Sequence, residues 1–345
     1  SSKSKERIAV FIIPNYKLEG AQNFFRRVHE NIEVNHNHKH LIVEEGQSLI
    51  KNLFKVASLG KAKNLTIFST VNSNKIGLIF RIIQPSSRLV MRLGNTISLE
   101  IKKYSFKYFF HKFFYFISIL LCQNFIFQSN LMKNDFIKFF KFKDNAKFLV
   151  IYNGVSKADF SGTQNLPFPK DRVNFLLVGS FKRQKGYDIL LACVQAMSRE
   201  IRGRLHLHIC GNGDEFEMFK KDLFKYSLES IVSLYGHISP DAFYQQSDVY
   251  VLPSRFEGFS NSLIEALSFG LPVIVSDCPS ANREVVTENF NGIFFKNLDH
   301  EDLLKNICYM LDHYKKFNKN DIIRDTQERF SLTSVTKIYK GLIKS

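Results

Sequence analysis

Short apolar runs alternate with helical patterns through the second half of the chain. Runs that end in glycine, proline or polar residues predict buried strands at 173–178, 205–210, 231–234, 249–252, 272–275 and 293–295. Strands that alternate with helices predict a parallel sheet with helices on both faces. Because such sheets bind ligands at the carboxyl ends of their strands, the loops that follow these runs are expected to carry the site.

The stretch 254–270, SRFEGFSNSLIEALSFG, follows the fourth of these strands and combines a polar loop with a helix that ends at Gly270. The N–H groups of a first helical turn are unpaired and lie at the positive end of the helix dipole, which suits a diphosphate. Glu257 precedes the helix and Glu265 lies within it, so one carboxylate could bind the hydroxyls of a sugar and the other those of a ribose. A second interpretation stays open, because Ser262 and Glu265 also match a capping box.

A glycine-bounded loop, GSFKRQKG, follows the first of these strands. It places Lys185 beside Gly186 at the start of a helix, where a lysine can neutralise a leaving diphosphate as the bond to the sugar breaks. Lys182 and Arg183 bring two more positive charges to this loop, which either assist Lys185 or remain solvated.

These motifs resemble those of the retaining glycosyltransferases of the GT-B fold, group 1 (family 4), whose E-x7-E signature is matched by Glu257 to Glu265. The likeness covers most of the chain and is strongest over 173–295. It implies an α/β fold of two Rossmann-like parallel-sheet domains that face each other across a cleft. An acceptor-side domain would comprise 1–160, completed by a helix at 331–345, and a nucleotide-sugar-binding domain would comprise 161–330.

The same resemblance implies roles for individual residues. Lys185 and Glu257 are the implied catalytic groups, the first beside the phosphates and the second at the donor sugar, while Glu265 binds the ribose. The other residues implied in donor binding are Gly20, Arg183, Gly211, His237, Gly258, Phe259, Ser260 and Asn261. No metal and no cofactor are implied, and no D-x-D motif occurs in the chain.

Three positions depart from the usual pattern of this family. Ser180 occupies the place of an arginine, for which Lys182 or Arg183 would have to substitute. Gly94 stands where family members often carry a histidine near the acceptor, and no catalytic histidine is assigned here. The loop after the first strand has the single Gly20 where two glycines are common.

The stretch 102–127, KKYSFKYFFHKFFYFISILLCQNFIF, is rich in both lysine and phenylalanine. It is too short and too interrupted by polar residues to span a bilayer. Lys103, Lys107 and His111 share one helical face, which is typical of a helix that lies at an anionic membrane surface. A partly buried domain helix with a solvated basic edge is the alternative, and the similar composition of 136–143 favours membrane contact.

Charge and composition narrow the classes of partner. The 345 residues include 48 Lys and Arg against 32 Asp and Glu, a net charge of +16 that attracts nucleotide donors, nucleic acids and anionic membranes alike. No nucleic-acid reader motif accompanies this charge, so nucleic acid is not the expected partner. The histidine-rich run at 35–40 is expected to be a solvated linker and not a metal site, because nothing nearby offers further ligands at a defined spacing.

The cysteines and the first residues bear on location. Five cysteines without C-x-x-C spacing are expected to be apolar core residues in a reducing cytoplasm. Residues 1–7 lead directly into an expected strand at 8–13, without the apolar segment of a signal peptide. The expected location is the cytoplasm, with peripheral contact to the inner face of the plasma membrane.

The expected function is that of a retaining, metal-independent hexosyltransferase that takes its sugar from a nucleotide-diphosphate sugar, with UDP favoured. The expected acceptor is a saccharide, and a lipid-linked saccharide of bacterial surface polysaccharide or glycan synthesis is favoured. Two alternatives stay open: a catalytically silent binding partner with the GT-B fold and, less favoured, a basic nucleic-acid-binding protein.

Overall fold

The computed structural model describes residues 7–13, 24, 27–28, 30–32, 38–44, 65–70, 73–161 and 165–344. The chain divides into two compact units, Ser1–Gly154 with Leu332–Ser345 and Val155–Ser331. Each unit contains a six-stranded sheet in which neighbouring strands are parallel. The predicted α/β fold of two Rossmann-like parallel-sheet units is therefore confirmed.

The strands are numbered along the chain as β1 (Arg7–Ile13), β2 (His38–Glu44), β3 (Leu65–Thr70), β4 (Arg88–Arg92), β5 (Asn124–Phe127), β6 (Phe148–Val150), β7 (Val173–Val178), β8 (Leu205–Cys210), β9 (Val232–Gly236), β10 (Val249–Leu252), β11 (Val273–Asp277) and β12 (Gly292–Lys296). The first sheet is ordered β2-β1-β3-β4-β5-β6, and the second is ordered β12-β11-β10-β7-β8-β9.

In the described part of the chain, the helices of the first unit are α1 (Asn74–Ile83), α2 (Ile97–Glu100), α3 (Phe106–Leu121) and α4 (Asn130–Phe140). Those of the second unit are α5 (Tyr187–Ala196), α6 (Arg199–Arg204), α7 (Phe216–Lys225), α8 (Asp241–Gln246), α9 (Asn261–Ser268), α10 (Asn282–Val285), α11 (His300–His313) and α12 (Lys319–Phe330). The last helix, α13 (Leu332–Lys344), returns to the first unit. Two 3₁₀ turns, Arg183–Lys185 and Tyr314–Lys316, complete the second unit.

Strands β1, β3, β4 and β5 of the first sheet are buried on both faces, which explains why their central residues are mostly apolar. Ile67 and its neighbours on one face pack with residues of α3 and α4. Phe68 and its neighbours on the other face pack with residues of α13, including Tyr339. The C-terminal helix thus supplies part of the core of the first unit.

The order in which the strands are added reverses within the second sheet. From β7 it proceeds outward through β8 and β9, and then returns to the other side of β7 to form β10, β11 and β12. The carboxyl ends of β7 and β10 therefore flank the point at which the strand order reverses, where open parallel sheets bind their ligands.

The strands of the second unit follow the predicted bounds closely. Those at 173–178, 205–210 and 249–252 are confirmed without change, and the other three are shifted or extended by one or two residues. Buried parallel strands need apolar residues on both faces, so their runs are easy to recognise in sequence.

Two expectations for the basic aromatic region were wrong in part. The helix expected within 102–127 is α3, which begins at Phe106, so Lys103 does not share a helical face with Lys107 and His111. The segment 136–143 does not offer a membrane surface, because the rings of Phe136, Phe139 and Phe140 are buried in the core of the first unit. No helix in the described residues is long and apolar enough to cross a membrane.

The five cysteines are free thiols, and four of them are buried while Cys308 is partly exposed. Most of them thus occupy apolar surroundings, as expected for small core residues.

Candidate active site

The predicted site residues of the second unit lie on loops at the carboxyl edge of its sheet. The 3₁₀ turn Arg183–Lys185 belongs to the loop after β7, and Glu257 belongs to the loop after β10. Since β7 and β10 are hydrogen-bonded neighbours, with Val249 opposite Phe175, the two loops start side by side. The reversal of the strand order brings together groups that are far apart in the chain.

Lys185 and Glu257 form an ion pair at this edge. Nζ of Lys185 lies 2.6 Å from Oε1 of Glu257, and the lysine and glutamate side chains are 18% and 6% exposed. The hydroxyl of Ser254 donates a second hydrogen bond to the same oxygen, at 2.7 Å. A charge-assisted contact of this length in a site that is nearly closed to water is strong and directional.

Gln184 ties the loop of Lys185 to the loop of Glu257. The side-chain amide of Gln184 donates to the carbonyl of Phe256 at 3.0 Å and lies 3.5 Å from Oε2 of Glu257. The backbone carbonyl of Gln184 accepts from the N–H of Arg255 at 2.8 Å. The N–H of Glu257 in turn donates to the carbonyl of Pro279 at 3.2 Å, in the loop after β11. Glu257 is therefore held by contacts of its backbone and its side chain with three loops.

Gly186 allows the two loops to come this close. Its φ is +69°, in the left-handed region, and a Cβ at this position would lie 2.1 Å from the carbonyl oxygen of Pro253. Any larger residue would push apart the loops that carry Lys185 and Glu257. The close approach of the two loops thus explains why glycine follows Lys185 in the sequence.

Gly211 allows a similar approach between the loops after β7 and β8. Its Cβ would lie 1.8 Å from the carbonyl oxygen of Gly179. The N–H of Gly179 donates to Cys210 and that of Phe181 donates to Asn212, so the two loops are joined by backbone hydrogen bonds. Gly211 therefore permits the loops after β7 and β8 to pack against each other at the carboxyl edge of the sheet.

The loop of Glu257 leads directly into α9. Gly258, Phe259 and Ser260 are buried, and Ser260 is the N-cap residue, although its side chain makes no capping hydrogen bond to the helix. The side chain of Ser260 therefore satisfies none of the N–H groups in the first turn of α9. That arrangement suits an anionic ligand.

The capping-box interpretation of Ser262 and Glu265 was wrong. The helix begins at Asn261, so Ser262 lies inside its first turn and is not the N-cap residue. Ser262 instead accepts a hydrogen bond from the hydroxyl of Tyr250 at 2.8 Å. Oε2 of Glu265 lies 3.3 Å from the hydroxyl of Tyr244.

The buried tyrosines beside Glu265 act as hydrogen-bond donors. Burial raises the pKa of the Tyr244 hydroxyl well above its usual value, and the negative charge of Glu265 raises that pKa further. Burial also raises the pKa of Tyr250. Both hydroxyls therefore keep their protons at neutral pH and hold α9 through Ser262 and Glu265.

Three predicted donor-binding residues have no contact with the ion pair to report. The side chains of Arg183 and His237 are exposed, and Gly20 lies outside the described residues. Gln184, Ser254 and Tyr244 hold the two glutamates but were not predicted, because nothing in their local sequence marks them. Among the described residues, no group of three histidine, cysteine or carboxylate side chains could hold a metal ion.

Residues 162–326 match the model of the family described as glycosyl transferases group 1. The second unit is therefore similar to the group 1 glycosyl transferases. The matched residues include the loops of Lys185, Gly211 and Glu257.

Curated proteins similar to this chain include the lipopolysaccharide 1,6-galactosyltransferase of Salmonella typhimurium. The two are 32% identical over 188 residues, which cover 52% of this chain and 50% of that protein. The chain spans about half the length of the curated relatives it matches.

Solved structures resemble this chain over almost its whole length. The structure of Anabaena Alr3699/HepE in complex with UDP has a TM-score of 0.78 at 15% identity, covering 98% of this chain and 99% of that chain. The apo form of the lipopolysaccharide outer core galactosyltransferase WaaB has a TM-score of 0.72 at 20% identity, covering 98% and 99%. These likenesses establish the fold, which is that of the GT-B glycosyltransferases.

Proposed function

We propose that the protein is a retaining glycosyltransferase that moves a sugar from a UDP-sugar to a saccharide acceptor carried on a lipid. The observation that carries the proposal is the buried Lys185–Glu257 pair beside the start of α9, at the reversal of the strand order. A cation, a carboxylate and a helix N-terminus meet the three needs of glycosyl transfer from a nucleoside diphosphate.

Lys185 stabilises the leaving diphosphate. An ammonium group has three N–H donors, and one contact with Glu257 leaves donors for phosphate oxygens. As the bond between sugar and phosphate breaks, negative charge grows on the diphosphate, and a fixed positive charge near it lowers the barrier. The backbone amides at the start of α9, near Phe259 and Ser260, complete the phosphate site.

Glu257 binds the donor sugar. Its Oε1 accepts from Lys185 and Ser254, so Oε2 is the oxygen better placed to accept from a sugar hydroxyl. A carboxylate at this position also stabilises the positive charge that develops on the anomeric carbon. Glu265, held from one side by Tyr244, binds the ribose hydroxyls.

The donor and the metal requirement follow from similarity. The Anabaena neighbour is a complex with UDP, and a further structure of it contains UDP-glucose, which supports a UDP-sugar as the donor here. The family resemblance implies a reaction without a metal ion, and Lys185 supplies the counter-charge that such a reaction needs.

The acceptor proposal rests on α3. Several of its large apolar side chains are more than half exposed, with Phe106 at 88% and Phe113 at 66%. Between residues 101 and 150 the chain has nine lysines and two acidic residues. Exposed aromatic residues among lysines are typical of a helix at an anionic membrane surface, where a lipid-linked saccharide would be met. The Salmonella relative named as a lipopolysaccharide galactosyltransferase supports this class of acceptor.

A donor panel tests the proposal. UDP-, GDP- and ADP-sugars are compared by thermal shift, and each hit is incubated with a bacterial membrane lipid extract and followed by mass spectrometry. We expect a UDP-sugar to raise the unfolding temperature and to yield a glycosylated lipid whose anomeric configuration matches that of the donor. Donor binding without turnover by any lipid would indicate a catalytically silent binding protein, and product with inverted configuration would refute the retaining mechanism.

A further inference from the structure

A cavity of about 260 Å³ lies within the first unit, near the carboxyl ends of β3 and β4. Its walls come from the start of α1, the segment 93–97 after β4, and one side of α3. None of the residues of the Lys185–Glu257 site lines this cavity.

Basic side chains line the cavity. Lys75 of α1 and Lys107 and His111 of α3 line its wall, and no acidic residue of the described chain does so. Burial lowers the pKa of His111, and the charges of Lys107 and Lys75 lower it further, so the three basic groups act on one another. Nδ1 of His111 is buried and has no hydrogen-bond partner among the residues that the structure describes. Lys75 and Lys107 are exposed, so their charges are available to an anion that enters the cavity.

An exposed apolar surface borders the cavity. Phe110 lines the cavity, is 52% exposed and lies 5.9 Å from Nζ of Lys75. The other exposed apolar residues of α3 are Phe106, Phe109, Phe113, Phe116 and Leu120.

The neighbouring helix α1 enlarges this surface. Arg81 of α1 donates to the carbonyl of Leu121 at 3.0 Å, so α1 lies along α3. Ile82 and Ile83 of α1 are 57% and 58% exposed. Together the two helices expose several large apolar side chains in one region, and a contiguous apolar patch of this kind marks an interaction surface.

We propose that this cavity binds the phosphate group of a membrane lipid while the exposed side chains of α1 and α3 enter the hydrocarbon layer. A phosphate or diphosphate joined to a hydrocarbon chain is the ligand that matches cationic walls beside an apolar surface. A nucleic acid would match the charge, but the exposed aliphatic side chains of Ile82, Ile83 and Leu120 offer no ring on which a base could stack. The inference rests on the proposed function only in identifying this lipid with the glycosyl acceptor.

Binding of defined probes tests the inference. The full chain is titrated with pyrophosphate and with farnesyl diphosphate, and is floated with phosphatidylcholine vesicles that contain or lack phosphatidylglycerol. We expect farnesyl diphosphate to bind more tightly than pyrophosphate, and the vesicles with phosphatidylglycerol to retain more protein. Preference for phosphatidylglycerol vesicles without farnesyl diphosphate binding would assign the cavity to bulk phospholipid and not to a diphosphate carrier. Binding of pyrophosphate alone would refute the lipid assignment.

Matched variants locate the site. The double substitution Lys75→Gln with Lys107→Gln should weaken farnesyl diphosphate and pyrophosphate at least about tenfold, because two charge-assisted contacts are lost. Lys138→Gln with Lys143→Gln removes the same charge from exposed positions outside the cavity, and should change both affinities less than about twofold. Lys75→Arg with Lys107→Arg should retain binding. Equal losses in the two glutamine pairs would show a nonspecific charge effect and overturn the proposal.

A further double substitution tests the contribution of the apolar surface separately from that of the cavity. Phe106→Ser with Phe113→Ser should weaken farnesyl diphosphate and vesicle binding while leaving pyrophosphate unchanged, since both side chains are exposed and do not line the cavity. UDP binding, measured by thermal shift, should be unaltered in all variants. Loss of lipid binding with UDP binding intact thus tests the inference alone, whereas failure of UDP-sugars to bind the parent protein would count against the proposed function alone.

Discussion

Nζ of Lys185 contacts Oε1 of Glu257 at 2.6 Å, although 72 positions separate the two residues in the chain. The contact is possible because β7 and β10 are neighbours in the sheet. Its partners are mostly buried, so each charge depends on the other for its stability.

Glu257→Gln should lower transfer activity by about 10²- to 10³-fold with a modest effect on folding, because the amide is neutral but has nearly the same shape. The measurement is the initial rate with the best UDP-sugar from the donor panel. Glu217→Gln, an exposed change on α7, is the control and should retain the parent's rate. Activity of the Glu257 variant equal to that of the control would remove the proposed role.

Lys185→Met should destabilise the second unit by about 2–4 kcal/mol, because it leaves Glu257 buried without its cation. Adding Glu257→Gln to this variant should restore much of the free energy of unfolding but none of the activity. Urea unfolding of the two single variants and the double variant measures the coupling. Additive effects on stability would mean that the pair is not an energetic unit.

Gly186→Ala should destabilise the protein by several kcal/mol, because the new Cβ would lie 2.1 Å from the carbonyl oxygen of Pro253 at a φ of +69°. Gly203→Ala is the matched change, since nothing lies within 4 Å of a Cβ at that helical position. It should be neutral or stabilise the protein by up to about 1 kcal/mol. The two midpoints of thermal unfolding provide the comparison, and equal midpoints would contradict the close approach of the two loops.

Tyr339→Ala should destabilise the first unit by about 3–5 kcal/mol, because this side chain is fully buried against Phe24 and Phe68. Ile338→Ala on the same helix should change stability by less than about 0.5 kcal/mol, because Ile338 is 49% exposed. Denaturant unfolding of both variants is the measurement. A small effect at Tyr339 would show that α13 is not part of the core of the first unit.

His208 should make stability fall as pH falls below about 6.5. Its ring contacts Tyr235 at 3.0 Å and Asn174 at 2.9 Å, and burial lowers its pKa from 6.5 to about 3. Between these values the unfolded chain binds a proton that the folded chain does not, so acid favours unfolding. Above pH 6.5 the histidine is neutral in both states and its contribution is fully present.

The variant His208→Gln tests this dependence. Thermal midpoints of parent and variant are measured at pH 7.5 and 5.0, and each is compared with its own value at pH 7.5. The parent should lose more stability than the variant, because glutamine has no proton to gain. Equal losses would assign the acid sensitivity to other groups.

The strands and the loops of the candidate site in the second unit could be predicted because their signals are local. The apolar run Val249–Leu252 and the E-x7-E spacing after it are both continuous in sequence. The partners of Glu257 could not be predicted in the same way. Ser254 is one of many serines, and Gln184 reaches Glu257 only through the pairing of β7 with β10.

In residues 102–143, which are rich in lysine and phenylalanine, composition alone does not predict which side chains are exposed. Both α3 and the segment 136–143 mix phenylalanine with lysine, yet Phe136, Phe139 and Phe140 are buried while Phe106 and Phe113 are exposed. The buried set recurs at i, i+3 and i+4 and so forms a single core-facing stripe. In α3 aromatic residues occur on all sides of the helix, and only the packing of α1 and α4 decides which of them face outward.

The ladder between β7 and β10 places the chemistry on a rigid base. Adjacent strands stand about 4.8 Å apart, and that separation hardly varies from one parallel sheet to another. Residues beyond the ion pair can therefore be exchanged without altering how cation and carboxylate meet. The sheet therefore fixes the Lys-Gly and Ser-x-x-Glu segments relative to each other, whereas the outer portions of the same loops are free to vary in sequence.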